Sequence, residues 1–455
     1  MRKKAIILFA LTIVMILVSC NTKGNNKYKA PKTSKQNKYN EKNISKNINI
    51  DPNINFFPIK DDNDMTNDII SNRGKSPDIT LNSINNIRNQ TLTDNLYSEN
   101  LVEKYETKVP EDIAIDIKYN KYIMPFDYLL ITSKEAKIYK SNNINSEIIK
   151  KAEYLSRLKL EGKVSSYKNK KDKENWYVVS WNEDSNIQYG VIPVDNGEAR
   201  SFKFYDMIEH IRNFEDQISN NRYGYISNYK DANGKAPLLN GKDIDKYGIQ
   251  AYQSAPAYYN LENKNDFRYF PDGMVVFIID ENNEFFKVRS LQYEGEYWIP
   301  KNYVSFENNI RELKKVIIVD TTNQNEALFE KSGDTWTLIT YTLASTGVKE
   351  KYKYETPSGT FKVLEKKDKM YYLNDKTGDL EGYAPYATRF TAGAYVHGVP
   401  INYEDEKDYT SETKEYLYTI GTIPRTHKCV RNYTSHAKFV YDWSEVDNTA
   451  VIVID

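Results

Sequence analysis

Apolar residues in this chain come in short runs parted by turn residues. Between about 125 and 200 the runs are "YLLITS", "AKIYKS", "WYVVSW" and "YGVIPV". Between about 245 and 306 they are "GIQAYQS", "PAYYNL", "MVVFII", "FFKVRS" and "YWIPKNYV". Runs of this length, rich in β-branched and aromatic residues, predict strands. "WYVVSW…YGVIP" and "FFKVRS…YWIPKNYV" align closely in spacing, which predicts a degenerate repeat of small barrels with about five strands each. Between the copies, "FYDMIEHIRNFEDQI" sets Phe204, Met207, Ile208, Ile211, Phe214 and Ile218 on one helical face, with His210 beside the stripe as a surface or packing residue. Further on, "KKVIIVDTTNQNEALFEKSGDTWTLITYTLASTG" reads as a buried strand, a turn, a strand around "EALFEK", a Gly-Asp turn and a third strand. The chain ends on "TAVIVID", another strand.

Upstream the pattern fades. From Asn21 to about Lys121 the chain is dominated by Asn, Lys, Ser, Asp and isolated Ile with no sustained period, which predicts a solvated tether. As a flexible coil of ~100 residues it would span ~50–60 Å. Before it, "MRKKAIILFALTIVMILVSC" has a basic start, an apolar run and a cysteine where a small-residue cleavage site would lie. The apolar run is close to the ~17-residue minimum for a span, so an uncleaved anchor is the alternative to a cleaved signal.

Composition agrees with a mainly β chain: 38 tyrosines against 17 phenylalanines favour strands and half-wet aromatic surfaces over helical bundles. Lys+Arg and Asp+Glu are both 63, so nothing calls for a nucleic-acid partner.

Chemistry concentrates near the C-terminus. His397, His427 and His436 are three of the four histidines, and Cys429 is the one cysteine besides Cys20. A thiol with a free pKa of ~8.5 is mostly protonated at neutral pH, and an adjacent imidazole turns it into a usable thiolate. The alternation in "RFTAGAYVHG" puts His397 at the end of a strand. His427 is the second candidate base with worse geometry, because residues two apart in a strand stand ~6.5 Å apart along it. One Cys and dispersed His lack metal-ligand spacing, so neither a metal nor another cofactor is expected. A buried inert cysteine with coincidental histidines is the bland alternative.

Three stretches decide between these. "TPSGTF" at 356–361, "APYATRFTAGAYVHGVP" at 384–400 and "THKCVRNYTSHAKFVYDW" at 426–443 resemble, in order, the motifs of the L,D-transpeptidase (YkuD-like) catalytic domain. The resemblance implies a cysteine acyltransferase acting on peptidoglycan stem peptides through a thioester. It further implies that Cys429 is the nucleophile, His397 the general base and the Gly398 carbonyl its orienting group. Backbone N–H groups around 427–429 would form the oxyanion hole, and Arg431, with His427, Lys428 and Thr426, would bind substrate. An L,D-carboxypeptidase, with water as acceptor, and a non-catalytic wall-binding lipoprotein are the alternatives.

The resemblance has two departures: Lys428 stands where the family has glycine, and Asn432 where it has an apolar residue. The acidic insertion 404–415 is expected to be a solvated loop or a lid. The two repeat copies resemble bacterial SH3-like modules. The cysteine at position 20 resembles a bacterial lipobox, which implies that Cys20 becomes the lipidated first residue and anchors the exported protein to a membrane facing the periplasm or cell wall. Cys429 then has no disulfide partner in the chain. The organisation expected is a signal peptide at 1–20, a tether at 21–121, SH3-like modules at 122–200 and 236–308 around a helical connector at 201–235, and a catalytic domain at 309–455, acting as a monomer.

Overall fold

The unbroken apolar runs of the C-terminal third become strands buried on both faces. In the computed structural model, which describes residues 100–455 except 170–171, 184–185, 352, 406–407 and 415–418, the chain is mainly β. Strand β1 (Lys315–Asp320) lies at the centre of a six-stranded sheet between β2 (Asn325–Ser332) and the C-terminal strand Thr449–Ile454. β1 pairs antiparallel with β2 and parallel with the C-terminal strand, Ile317 opposite Val451. Val316 to Val319 and Ala450 to Val453 are fully buried, which a strand covered on both faces requires. Strand β3 (Thr335–Leu343) extends this sheet on one side and β4 (Gly359–Lys362) on the other.

A second sheet of six strands carries the histidine and cysteine motifs. Its long strand β5 (Leu380–Thr391) pairs with Glu365–Leu373, with β6 (Ala394–His397) and with Ile401–Asp405. β6 pairs in parallel with β7 (Val430–Arg431), and helix α2 (Thr434–Trp443) follows. The acidic insertion is built as a strand pair. Ile401–Asp405 runs antiparallel to Asp408–Lys414 and prolongs the sheet at its edge, so the described backbone within 404–415 is strand, where a solvated loop or a lid is expected from the sequence.

Two further antiparallel sheets precede the catalytic pair. One is eight-stranded, mostly within Asp127–Ser201, and the other is seven-stranded, from Tyr223 to Ser305. The outermost strands of neither sheet pair with each other among the described residues, so hydrogen bonding alone closes neither of the SH3-like barrels expected at 122–200 and 236–308. The second sheet also starts earlier than expected, since Tyr223–Ile226 lies inside the 201–235 stretch read as connector.

Helix α1 (Phe204–Asn220) buries Phe204, Met207, Ile208, Ile211 and Phe214, the stripe its period predicts. Its role is larger than that of a connector. Its buried face shares the central core with the catalytic strands, and Glu215 pairs with Lys331 of β2 and accepts from Trp336 Nε1 of β3 at 3.0 Å.

The expected tether needs correction at its C-terminal end. Leu101–Lys104 pairs with the strand Arg157–Asn169, and Ala114–Ile115 adds a parallel strand beside β3. Ile113, Ile117 and Tyr119 are buried in the central core. Isolated apolar residues in a polar stretch look solvated, yet those at 113, 117 and 119 point to one side of an extended chain that crosses the domain. Residues 1–20 with Cys20, and the tether up to 99, lie outside the described residues. Among the described residues no helix is long and apolar enough to cross a membrane.

Candidate active site

The parallel pairing of β6 with β7 sets Val396 opposite Val430 and His397 opposite Arg431. Side chains two apart on a strand share a face, so Tyr395, His397 and Arg431 project together. Cys429, one residue before β7, packs against Tyr395 and Ala387 on that face and is 7% exposed. Cys429 and His397 therefore sit diagonally on one sheet face, and the Cys429 thiol donates to the Gly393 carbonyl oxygen at 3.8 Å.

His397 is buried, and its Nδ1 lies 2.6 Å from the carbonyl oxygen of Gly398. An Nδ1–H donated to that carbonyl leaves Nε2 as the basic nitrogen. Burial, with the Arg431 cation adding to it, pulls the His397 pKa down to about 4 against the pull of the Gly398 carbonyl. The ring is thus neutral at pH 7 and able to accept a proton. Its backbone is tied to the residue after the arginine: Asn432 N–H donates to the His397 carbonyl at 2.8 Å.

The turn that leads into Cys429 is held from three sides. Thr426 hydroxyl donates to the Cys429 carbonyl at 2.5 Å, so Thr426 closes the turn and has no hydroxyl proton to offer a substrate. Thr356, from "TPSGTF", accepts from Gly347 N–H at 2.8 Å and donates to the Lys428 carbonyl at 2.9 Å. A Cβ on Gly347 would meet Tyr354 O at 2.3 Å and Lys428 Cα at 2.8 Å, so only glycine lets these segments approach. The N–H groups of His427 and Lys428 enter no backbone hydrogen bond among the described residues, as an oxyanion hole requires.

Lys428 has φ +90°, a conformation suited to glycine that the surrounding hydrogen bonds impose on lysine. Its ammonium is half-buried, and burial lowers its pKa to about 8 while the neighbouring Cys429 opposes that fall. Attraction of this kind is mutual, so the ammonium favours the thiolate. Arg431 has a buried Nε with no hydrogen-bond partner among the described residues. His427 is exposed, with Nε2 3.6 Å from Asp375 Oδ2.

Residues that sequence reasoning missed complete the site. Tyr395 could have been found from "AYVHG", because it alternates with His397. Tyr395 hydroxyl lies 3.1 Å from Glu365 Oε1, and Arg389 joins the same carboxylate at 2.8 Å while pairing with the buried Asp272 of the second module at 2.7 Å. The Tyr229 ring centre, also of that module, lies 4.0 Å from the Arg389 guanidinium. No local pattern marks Tyr229 or Asp272 as neighbours of the thiol. Among the described residues no cluster of three or more His, Cys, Asp and Glu forms that could hold a metal.

With this geometry in place, the comparisons with known proteins are direct. Residues 314–453 match the family model of YkuD, the L,D-transpeptidase catalytic domain. That match spans the strands of the two six-stranded sheets except Ala114–Ile115 and the last residue of Thr449–Ile454. No curated protein matches the chain. Among solved structures it is similar to an L,D-transpeptidase from Mycobacterium smegmatis, at 16% identity over 40% of this chain and 90% of that one, with a TM-score of 0.24. Mycobacterium tuberculosis L,D-transpeptidase 1 is 17% identical over 35% and 78%, with a TM-score of 0.22. A fused Zn-dependent amidase/peptidase/peptidoglycan-binding domain-containing protein from Clostridium acetobutylicum is 19% identical over 31% of this chain and 52% of its own, about half its length, with a TM-score of 0.22.

Proposed function

We propose that the YkuD domain is an active cysteine L,D-transpeptidase of peptidoglycan stem peptides, carried by an exported protein that Cys20 anchors to a membrane through lipid. The observation that carries the catalytic reading is the buried His397 ring, tautomer-locked by the Gly398 carbonyl, on the same sheet face as Cys429. His397 Nε2 takes the thiol proton, and the Cys429 thiolate attacks the carbonyl carbon of the amide between the L- and D-centres of a tetrapeptide stem. The resulting oxyanion faces the N–H groups at 427–429. The C–N bond then breaks, His397 returns its proton to the departing amine, and a thioester remains. An amine from a second stem or an envelope protein attacks that thioester, gives a proton to His397 and restores the thiol. Water in the amine's place makes the reaction an L,D-carboxypeptidase step.

Lys428 and Arg431 flank the nucleophile with positive charge and would receive a stem's free carboxylate. The upstream β-modules, the membrane anchor and the monomeric state belong to the same proposal. Its support upstream is the basic, apolar, cysteine-terminated order of residues 1–20. The deciding experiment incubates the purified full chain with tetrapeptide muropeptides and follows protein and products by mass spectrometry. An adduct on Cys429 and a released D-residue are expected. Unchanged muropeptides with no adduct would make the chain a wall-binding protein instead.

A further inference from the structure

The second β-module touches the nucleophile turn itself. Its connection between Tyr223–Ile226 and Ser254–Tyr258 carries Gln250, held in an isolated bridge to Ile244. Gln250 Oε1 accepts from Lys428 Nζ at 2.5 Å. The Tyr354 ring centre lies 5.5 Å from the same ammonium. The cation next to the nucleophile is thus held by an amide oxygen and an aromatic face, and no carboxylate pairs with it among the described residues.

The choice of anchor matters. A carboxylate at position 250 would neutralise Lys428 and leave it nothing to offer an incoming anion. A neutral amide fixes the ammonium in place and preserves its charge. An aromatic face does the same, since cation–π attraction adds no counter-charge. Arg431, three residues along, is likewise cationic and has a buried Nε without a hydrogen-bond partner among the described residues, so a second cation stands close to Cys429.

We propose that Gln250 is a specificity-determining residue: it holds the Lys428 ammonium on a neutral oxygen so that this charge reads a stem's free carboxylate, which makes the second β-module part of the donor site. The proposal rests on the transpeptidase reading above. It assigns the module a place in substrate choice, in contrast to a role as a spacer between tether and enzyme.

The experiment compares the same tetrapeptide stem with a free terminal carboxylate and with a terminal carboxamide, using the full chain in detergent. Wild type, Gln250→Glu and Gln250→Leu are measured, each also in a Lys428→Gly background, with thermal midpoints as the folding control. Wild type is expected to favour the free acid by about tenfold in kcat/KM, the equivalent of about 1.4 kcal/mol. Gln250→Glu should bring that preference to within about threefold by raising KM for the acid more than for the carboxamide, because one ionic contact has been satisfied internally. Gln250→Leu should fall between the two. In the Lys428→Gly background neither change at 250 should alter the preference, which isolates the route through Lys428. If both stems turn over and Gln250→Glu discriminates as wild type does, the role of Gln250 is overturned while the enzyme reading stands. If no variant forms a thioester with either stem, the enzyme reading falls and takes this one with it.

Discussion

Glu326 of β2 and His436 of α2 face each other 3.4 Å apart, both without solvent exposure. Neither carboxylate oxygen nor either ring nitrogen has a hydrogen-bond partner that meets ordinary geometry, and Asn432 lies beside Glu326 in the same condition. Burial pushes the Glu326 pKa up to about 8 and pulls that of His436 down to about 3. Both groups are neutral at pH 7, and Asn432 beside them directly follows Arg431.

That pair makes stability depend on pH in a defined direction. Unfolded Glu326 ionises near 4.5 and folded Glu326 near 8, so the folded state holds the extra proton and stability falls as pH rises through that interval. For His436 the folded ring stays neutral down to about 3 while the unfolded ring takes a proton below 6.5, so stability falls as pH drops through that interval. Glu326→Gln removes the first effect. It is expected to raise the thermal midpoint at pH 8.5 by at least about 2 °C, on the order of 1 kcal/mol, relative to its effect at pH 5.5. Equal shifts at both pH values would show that Glu326 is not held neutral in the fold.

A second pH effect belongs to catalysis. With the His397 pKa near 4, the acid limb of Cys429 alkylation by iodoacetamide should lie well below the 6.5 of an ordinary imidazole. His397→Ala should slow that alkylation at pH 7 by about 10²-fold or more. Labelling that proceeds only in denaturant would identify Cys429 as a packing residue.

What the sequence disclosed and what it withheld divide by distance along the chain. The position of His397 is legible because the alternation in "RFTAGAYVHG" is local, and strand β6 ends on that residue. The central sheet is legible because "KVIIVD" and "TAVIVID" are apolar without interruption. Gln250 and Asp272 are not legible, since each reaches the site across more than a hundred residues of chain and has an ordinary local setting. The segment around Ile113, Ile117 and Tyr119 misleads for a different reason. Its burial comes from crossing a domain that follows it in sequence, and no local period records that.

The contact between module and catalytic domain should be costly to break. Asp272 is buried against Arg389, and burial raises the carboxyl's pKa against the pull of that guanidinium. Asp272→Ala leaves Arg389 with Glu365 alone, and a loss of about 3 kcal/mol, the low end for a broken buried pair, is expected in urea unfolding. A change under 1 kcal/mol would mean that Glu365 alone is a sufficient partner.

The anchor is tested by fractionation. Wild type should partition with membranes, and Cys20→Ala should move the protein to the soluble fraction. A Cys20→Ala protein that stays with membranes would point to an uncleaved apolar segment.

Lys428 carries the sharpest expectation, because two consequences of one substitution have opposite signs. At φ +90° a lysine costs about 1–3 kcal/mol relative to glycine, and its ammonium is partly desolvated as well. Lys428→Gly should therefore stabilise the fold by about 1 kcal/mol or more, read as a higher urea midpoint with an unchanged slope. The same change removes the cation beside Cys429. The thiolate loses that support, so the pH at which alkylation reaches half its maximum should rise. A variant that gains stability while its thiol becomes less reactive at pH 7 would show that lysine is kept here for chemistry at a cost in backbone strain. If Lys428→Gly instead switches on turnover in a protein otherwise inert to every stem, lysine blocks the site, and binding to the wall is the better account of the chain.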